Sequence, residues 1–77
     1  MDKNEKFVRE VYPDAYLFEN QREVKIFSQT PNDFSSNEYL LAFAFFSYGY
    51  DARDRAWKYA AKCVNVLLDT MVKKLES

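Results

Sequence analysis

Hydrophobic and polar residues recur along this chain with two periods, and each period predicts one type of secondary structure. Near the start, apolar residues between positions 7 and 12 follow the spacing of one helical face. Asp2 is a suitable N-cap, and Glu5 follows at the spacing of a capping box. Pro13 ends the pattern, because the residue before proline is disfavoured in the helical region. We therefore predict a helix over residues 3–12.

Two short apolar segments follow and are typical of a β-hairpin. Strands are predicted over residues 15–18 and 23–28, and Val24 and Ile26 share one face of the second strand. The polar turn between them contains Asn20, a residue that accepts a positive φ in tight turns.

The segment over residues 39–48 is apolar and aromatic and fits either a strand or a helix. Ser35 and Glu38 have the spacing of a capping box, which favours a helix. Larger and smaller side chains alternate after Leu40, which favours a buried strand. Periodicity alone does not separate the two over so few residues. We predict a strand over residues 39–48, preceded by a polar loop, with a helix as the alternative.

The last segment has the strongest helical pattern in the chain. Asp51 is a suitable N-cap, and no glycine or proline interrupts residues 52–75. Apolar residues form two adjacent stripes along this helix, which is a wide apolar face for so short a chain. The first stripe contains Trp57, Ala60, Val64, Leu67 and Met71, and the second contains Ala61, Leu68, Val72 and Leu75.

The order of these elements predicts an α+β fold. We expect one domain over residues 1–77, a two-layer α-β-β-β-α arrangement in which a three-stranded antiparallel sheet packs on the long C-terminal helix. Trp57, Val64 and Leu67 are expected to be buried against the sheet. The second stripe remains available for another protein or for a second copy of the chain.

The composition removes most catalytic and metal-binding chemistry. The 77 residues include no histidine, one cysteine and one glycine. Histidine is the commonest acid–base group near neutral pH, and a single glycine does not build a phosphate-binding loop. Cys63 lies within the predicted helix, where a thiol is usually a small apolar group. Asp51 and Asp54 are accounted for by helix capping. We predict a protein that is not an enzyme and has no catalytic residue, metal site or cofactor.

The charge distribution argues against a dedicated nucleic-acid-binding protein. Residues 1–38 contain five basic and eight acidic groups (−3), and residues 39–77 contain six basic and four acidic groups (+2). Binding to phosphates usually requires a clear basic excess. A basic ridge on the C-terminal helix is the exception, and it consists of Arg53, Arg55, Lys58 and Lys62. We favour i,i+4 ion pairs on a solvated face as its explanation, namely Asp51–Arg55, Asp54–Lys58 and Asp69–Lys73.

Aromatic residues make up 18% of the chain, more than a small core holds. We expect most of them to fill the interface between sheet and helix, and the excess to form an interaction patch. Stacking on nucleobases is the alternative. The aromatic residues concerned are Tyr16, Phe18, Phe27, Phe43, Phe45, Tyr48, Tyr50 and Trp57. The longest apolar run, over residues 39–46, is too short to span a bilayer. No leader is recognised, so a cytoplasmic protein without a membrane partner is expected.

Two stretches resemble a type of small phage and prophage protein. The first is the YPDA motif at residues 12–15, and the second is Gly49 followed by an A-W-x-x-A pattern at residues 56–60. The resemblance implies a phage-encoded protein in the cytoplasm of the host cell. It also implies a role in binding and inhibiting a host or defence complex, for example as an anti-CRISPR protein.

The C-terminal helix is also similar to the last helix of double-stranded-RNA-binding domains, whose pattern is K-K-x-A-K-x-x-A-A. Ala56, Ala60 and Ala61 match its small positions. Trp57 replaces the expected lysine, and residues 53–54 replace the lysine pair. The resemblance implies an α-β-β-β-α topology in which the grip on RNA is largely lost.

We therefore expect a protein-interaction domain. A nucleic-acid-binding accessory protein that uses the basic ridge is the alternative, and a homodimer formed through the second stripe is a third possibility. The candidate interaction residues are Arg53, Arg55, Lys58, Lys62, Tyr48, Tyr50, Leu68, Val72 and Leu75.

Overall fold

A computed structural model describes residues 2–46 and 51–76 of the chain. Helix α1 (Lys3–Val11) is followed by strands β1 (Tyr16–Glu19), β2 (Glu23–Phe27) and β3 (Leu40–Phe45), and then by helix α2 (Ala52–Glu76). The strands form one antiparallel sheet in the order β1-β2-β3, so β1 and β3 are its edges. The predicted α+β fold, with a three-stranded sheet and a long C-terminal helix, is confirmed.

The ambiguous segment is a strand from Leu40 to Phe45, as predicted. Residues 35–38 form turns instead of starting a helix, because their side chains bond locally. The Asp33 carboxylate accepts hydrogen bonds from the backbone N–H and the hydroxyl of Ser35, and the Ser36 hydroxyl accepts one from the Glu38 N–H. The predicted end of this strand, and the turn at Gly49, lie outside the described residues.

The predicted helix caps are confirmed. Asp2 accepts a hydrogen bond from the Asn4 N–H at 3.0 Å, and Asp51 accepts one from the Arg53 N–H at 2.9 Å. Asn20 does form the hairpin turn, but not through a positive φ. Its side-chain oxygen accepts hydrogen bonds from the backbone N–H groups of Arg22 and Glu23, both at 2.8 Å. Among the described residues, Tyr39 is the one non-glycine residue with a positive φ, at 65°.

The inner face of the sheet meets α2 through small side chains. The strand register aligns Val24 with Ala44, and Ile26 with Ala42. These residues join one core cluster with Val8 of α1 and Trp57 of α2. Small residues at facing positions let a helix lie close to a sheet, so the layers are joined mainly by alanines. The buried alanines of β3 and α2 in this cluster are Ala42, Ala44, Ala52, Ala56, Ala60 and Ala61.

Of the aromatic residues named for this interface that the structure describes, only Trp57 lies there, so the expectation is wrong for the others. Residues directly opposite one another share a face, and the register places the sheet aromatics on the outer face. Phe34, from the loop before β3, covers part of that face. Its ring stacks on Phe18 at 4.7 Å and meets Phe27 at 6.0 Å between centroids. In β3 the alanines Ala42 and Ala44 face inward, and Phe43 and Phe45 face outward.

Arg9 connects three parts of the fold. Its guanidinium donates a hydrogen bond to the Ala15 carbonyl at 2.7 Å and another to the Glu5 carboxylate at 2.9 Å. The same group lies 5.1 Å from the centroid of the buried Trp57 ring. Arg9 therefore fixes α1 against α2 and against the start of β1.

Candidate interaction surface

Helix α2 is longer than the sheet on which it packs. Its 25 residues span about 37 Å, whereas the six residues of β3 span about 20 Å. The longest dimension of the molecule is accordingly 44 Å, against 26 and 19 Å for the other two. Val64 is the last buried residue of α2, and every residue from Asn65 to Leu75 is exposed. We call residues 65–75 the overhang.

The overhang presents a continuous apolar stripe to solvent. Leu67 and Met71 extend the row of buried residues that begins at Trp57, yet they are 44% and 60% exposed. The prediction that Leu67 is buried is therefore wrong, because the helix has passed the end of the sheet at this position. We call the five large apolar residues on this face the overhang stripe: Leu67, Leu68, Met71, Val72 and Leu75.

We call the sheet, α1 and the part of α2 that packs on them the body. The second predicted stripe is divided between the body and the overhang. Ala61 is 6% exposed and belongs to the core cluster, so it is not available to a partner. Leu68, Val72 and Leu75 are 37%, 50% and 87% exposed. Three of the predicted interaction residues thus lie together on the overhang stripe, and Leu67 and Met71, assigned to the core by the pattern, join them.

The Asp69–Lys73 pair and Thr70 lie away from this stripe. Asp69 and Lys73 form the predicted i,i+4 ion pair at 3.5 Å, with both side chains largely exposed. The Thr70 hydroxyl donates a hydrogen bond to the Val66 carbonyl at 2.9 Å, which satisfies it within the helix. A shallow apolar groove runs beside the stripe on the flank of α2, lined by Tyr59, Lys62, Cys63, Val66 and Leu67.

The arginines of the basic ridge are engaged by the fold itself. Both Arg53 Nε and Arg53 Nη2 donate to the Glu19 carboxylate, each at 2.8 Å. These hydrogen bonds lower the pKa of Glu19 and raise that of Arg53. Arg55 donates a hydrogen bond to the Phe45 carbonyl, and its Nε is buried without a partner. Two of the four ridge cations therefore hold α2 to the sheet.

The two lysines of the ridge remain exposed, and acidic groups lie near one of them, Lys58. Two of the predicted ion pairs, Asp51–Arg55 and Asp54–Lys58, are absent from the part of the chain that the structure describes. Instead, the charge of Asp51, burial and the charge of Asp2 raise the pKa of Asp54. Arg55 and Lys58 share a shallow depression with Asp2 and Asp54, so the positive surface is interrupted.

A second exposed apolar region lies on the outer face of the edge strand β3. Phe43 and Phe45 are 46% and 56% exposed, and their rings meet edge to face at 5.4 Å. Phe46, at 43% exposed, follows them. The alternation of phenylalanine with alanine was the sequence signal for this region, but it did not say which set faces the core. Tyr48 and Tyr50, predicted as interaction residues, lie outside the described residues.

Over residues 2–46 and 51–76, no group of three or more histidine, cysteine, aspartate or glutamate side chains is arranged to hold a metal ion. Within the same ranges, no helix combines the length and apolar character needed to cross a membrane.

No family model, curated protein or solved structure matches this chain. The resemblances to small phage proteins and to double-stranded-RNA-binding domains stay predictions.

Proposed function

We propose that this chain is a protein-interaction domain and that the overhang stripe is its docking surface. The observation that supports the proposal is the continuation of the core-facing row of α2 beyond the sheet. Trp57, Ala60 and Val64 use this row to close the core, and the same row then runs on uncovered through Leu67 and Met71.

The size of the stripe fits this role. Its five side chains together expose about 500 Å² of apolar surface, within the range of the largest patch on a monomeric protein, which is often functional. A partner that contributes a matching apolar surface would remove this area from water, and that burial favours association.

The basic ridge does not support nucleic-acid binding as the better proposal. Arg53 and Arg55 are committed to Glu19 and to the Phe45 carbonyl. Of the ridge cations, Lys58 and Lys62 remain for phosphates, and Asp54 shares a depression with Lys58. Inhibition of a host or defence complex by a phage-encoded protein stays a prediction from resemblance, and such a complex would dock on the same stripe.

Paired variants test the proposal. Leu68→Glu with Met71→Glu places two charges on the stripe without touching the core, and Lys58→Glu with Lys62→Glu is the matched control on the ridge. We expect a tagged wild-type chain and the ridge variant to retain the same protein partners, including other copies of the chain. The stripe variant is expected to lose them. Retention of the same partners by the stripe variant, with an unchanged circular dichroism spectrum, would contradict the proposal.

A further inference from the structure

We infer that the partner of the overhang is a second copy of this chain, with the two α2 helices antiparallel across a two-fold axis near residue 70. The inference rests on the proposed function and makes it specific. Three features of the described residues support it: the pattern of the stripe, the area it exposes and the position of the body on α2.

The stripe has, over one heptad, the spacing of residues that pack between two helices. Leu68, Met71 and Leu75 follow one another at spacings of three and four, the a and d positions of a heptad. Leu67 and Val72 flank this seam on its two sides. A two-fold interface requires one patch to be complementary to itself, and aliphatic side chains at this spacing interdigitate with an identical set. The Asp69–Lys73 ion pair lies off the seam and does not oppose the contact.

The exposed area matches what a small dimer needs. Two stripes of about 500 Å² each supply roughly 1,000 Å² of mostly apolar surface. This sum is about the 1,000 Å² that a specific interface should reach, and it lies below the standard range of about 1,200–2,000 Å². Three turns of helix are therefore enough when both copies contribute the same face.

The position of the body fixes the orientation of the pair. The sheet and α1 pack on the same face of α2, between Ala52 and Val64, that carries the stripe further along. In a parallel two-fold pair, both bodies would lie on the axis and occupy the same space. In an antiparallel pair, the bodies lie at opposite ends, and each overhang extends toward the end of the other body. The steric demand of the sheet thus selects the antiparallel arrangement.

Sedimentation equilibrium tests the stoichiometry. The chain has a mass of 9.2 kDa. We expect the wild-type protein to approach twice that mass as its concentration rises into the hundreds of micromolar. The Leu68→Glu, Met71→Glu variant is expected to stay monomeric with an unchanged circular dichroism spectrum, and the Lys58→Glu, Lys62→Glu control to dimerise like the wild type. A wild-type chain that remains monomeric throughout this range overturns the inference.

Distances between spin labels test the orientation. Cys63→Ser removes the native thiol, and a label is then placed at Lys58→Cys in the body or at Thr70→Cys near the proposed axis. At 1.5 Å per residue, the antiparallel pair separates the two labels at position 58 by roughly 35–40 Å along the helices. The labels at position 70 are expected to lie much closer. Short distances at both positions indicate a parallel pair and contradict the antiparallel arrangement.

Failure of this inference is distinguishable from failure of the proposed function. In one outcome the wild-type chain is monomeric, yet it retains other proteins in a manner that depends on Leu68 and Met71. The second copy is then excluded, and the stripe remains a docking surface. In the other outcome, neither self-association nor partner retention responds to the stripe variant, and both proposals are overturned.

Discussion

Replacement of Arg9 by methionine is predicted to weaken the fold. Methionine keeps an apolar stem of similar length but removes all three contacts of the guanidinium. These are the bond to the Ala15 carbonyl at 2.7 Å, the ion pair with Glu5 at 2.9 Å and the contact with the Trp57 ring at 5.1 Å.

The expected loss is worked out contact by contact. The Arg9 side chain is 35% exposed, so its charged hydrogen bond to the carbonyl contributes about 1 kcal/mol, below the range for charged groups. The i,i+4 ion pair adds about 0.4 kcal/mol, and the cation–π contact adds about 0.5–1 kcal/mol. The free energy of unfolding should therefore fall by about 2 kcal/mol. For a chain of this size, that change lowers the melting temperature by roughly 8–16 °C.

Urea unfolding followed by circular dichroism, at one fixed protein concentration, measures this loss. Glu5→Gln is the matched control, because it removes only the ion pair and is expected to cost about 0.4 kcal/mol. An Arg9→Met variant within about 0.5 kcal/mol of the wild type would refute the assignment of Arg9 as a connecting residue. So would a Glu5→Gln variant that loses as much as Arg9→Met, since the ion pair would then account for the whole effect.

Three further predictions test other parts of the structure. Ala56 of α2 is fully buried, so Ala56→Leu should lower the free energy of unfolding in urea by about 1–3 kcal/mol. An unchanged stability would contradict close packing through alanines. Phe34→Ala should cost about 2–3 kcal/mol because its ring covers the outer aromatic cluster, whereas Phe45→Ala, on an exposed side chain, should cost less than about 1 kcal/mol. Hydrogen bonds from Arg53 lower the pKa of Glu19, so the stability from this pair is present above the ordinary pKa of 4.5 and is lost as the pH falls through the lowered pKa. Arg53→Met should raise the pKa of Glu19 toward 4.5 in an NMR titration, and an unchanged pKa would show that the pair has no such effect.

The sequence predicted the order of elements because each is encoded locally. Asp2 and Asp51 cap helices by bonding to the backbone two residues later, and Asn20 forms a turn in the same way. Such signals depend on neighbours in the chain, so they are readable without knowledge of the fold. The alternation in residues 40–45 likewise predicted a strand, although a helix remained possible.

Which face of an element is buried depends on contacts between distant residues, and there the pattern was misleading. Phe43 and Phe45 look more suited to a core than Ala42 and Ala44. The sheet nevertheless buries the alanines, because α2 supplies its own alanines and the bulk of Trp57. Large side chains on both layers would force the layers apart.

The interaction surface was only partly predicted, because its limits also depend on contacts between distant residues. An apolar stripe on α2 was evident, but the position at which the sheet ends was not. Leu67 and Met71 have the same spacing as Trp57 and Val64, and only the length of β3 separates the exposed residues from the buried ones. The basic ridge was expected to be a solvated face, whereas Arg53 binds Glu19 on the sheet. The pattern did not predict this contact, because the two residues are 34 positions apart in the chain.

We propose the overhang stripe as a contact surface between two copies of the chain. Methyl NMR spectra recorded across a dilution series detect such a contact at the residues themselves. We predict that the methyl signals of Leu67, Leu68, Met71, Val72 and Leu75 shift together as the concentration falls, while those of the buried Val24 and Ile26 stay in place. Stripe signals that do not change with concentration would contradict a contact between two copies through the overhang stripe.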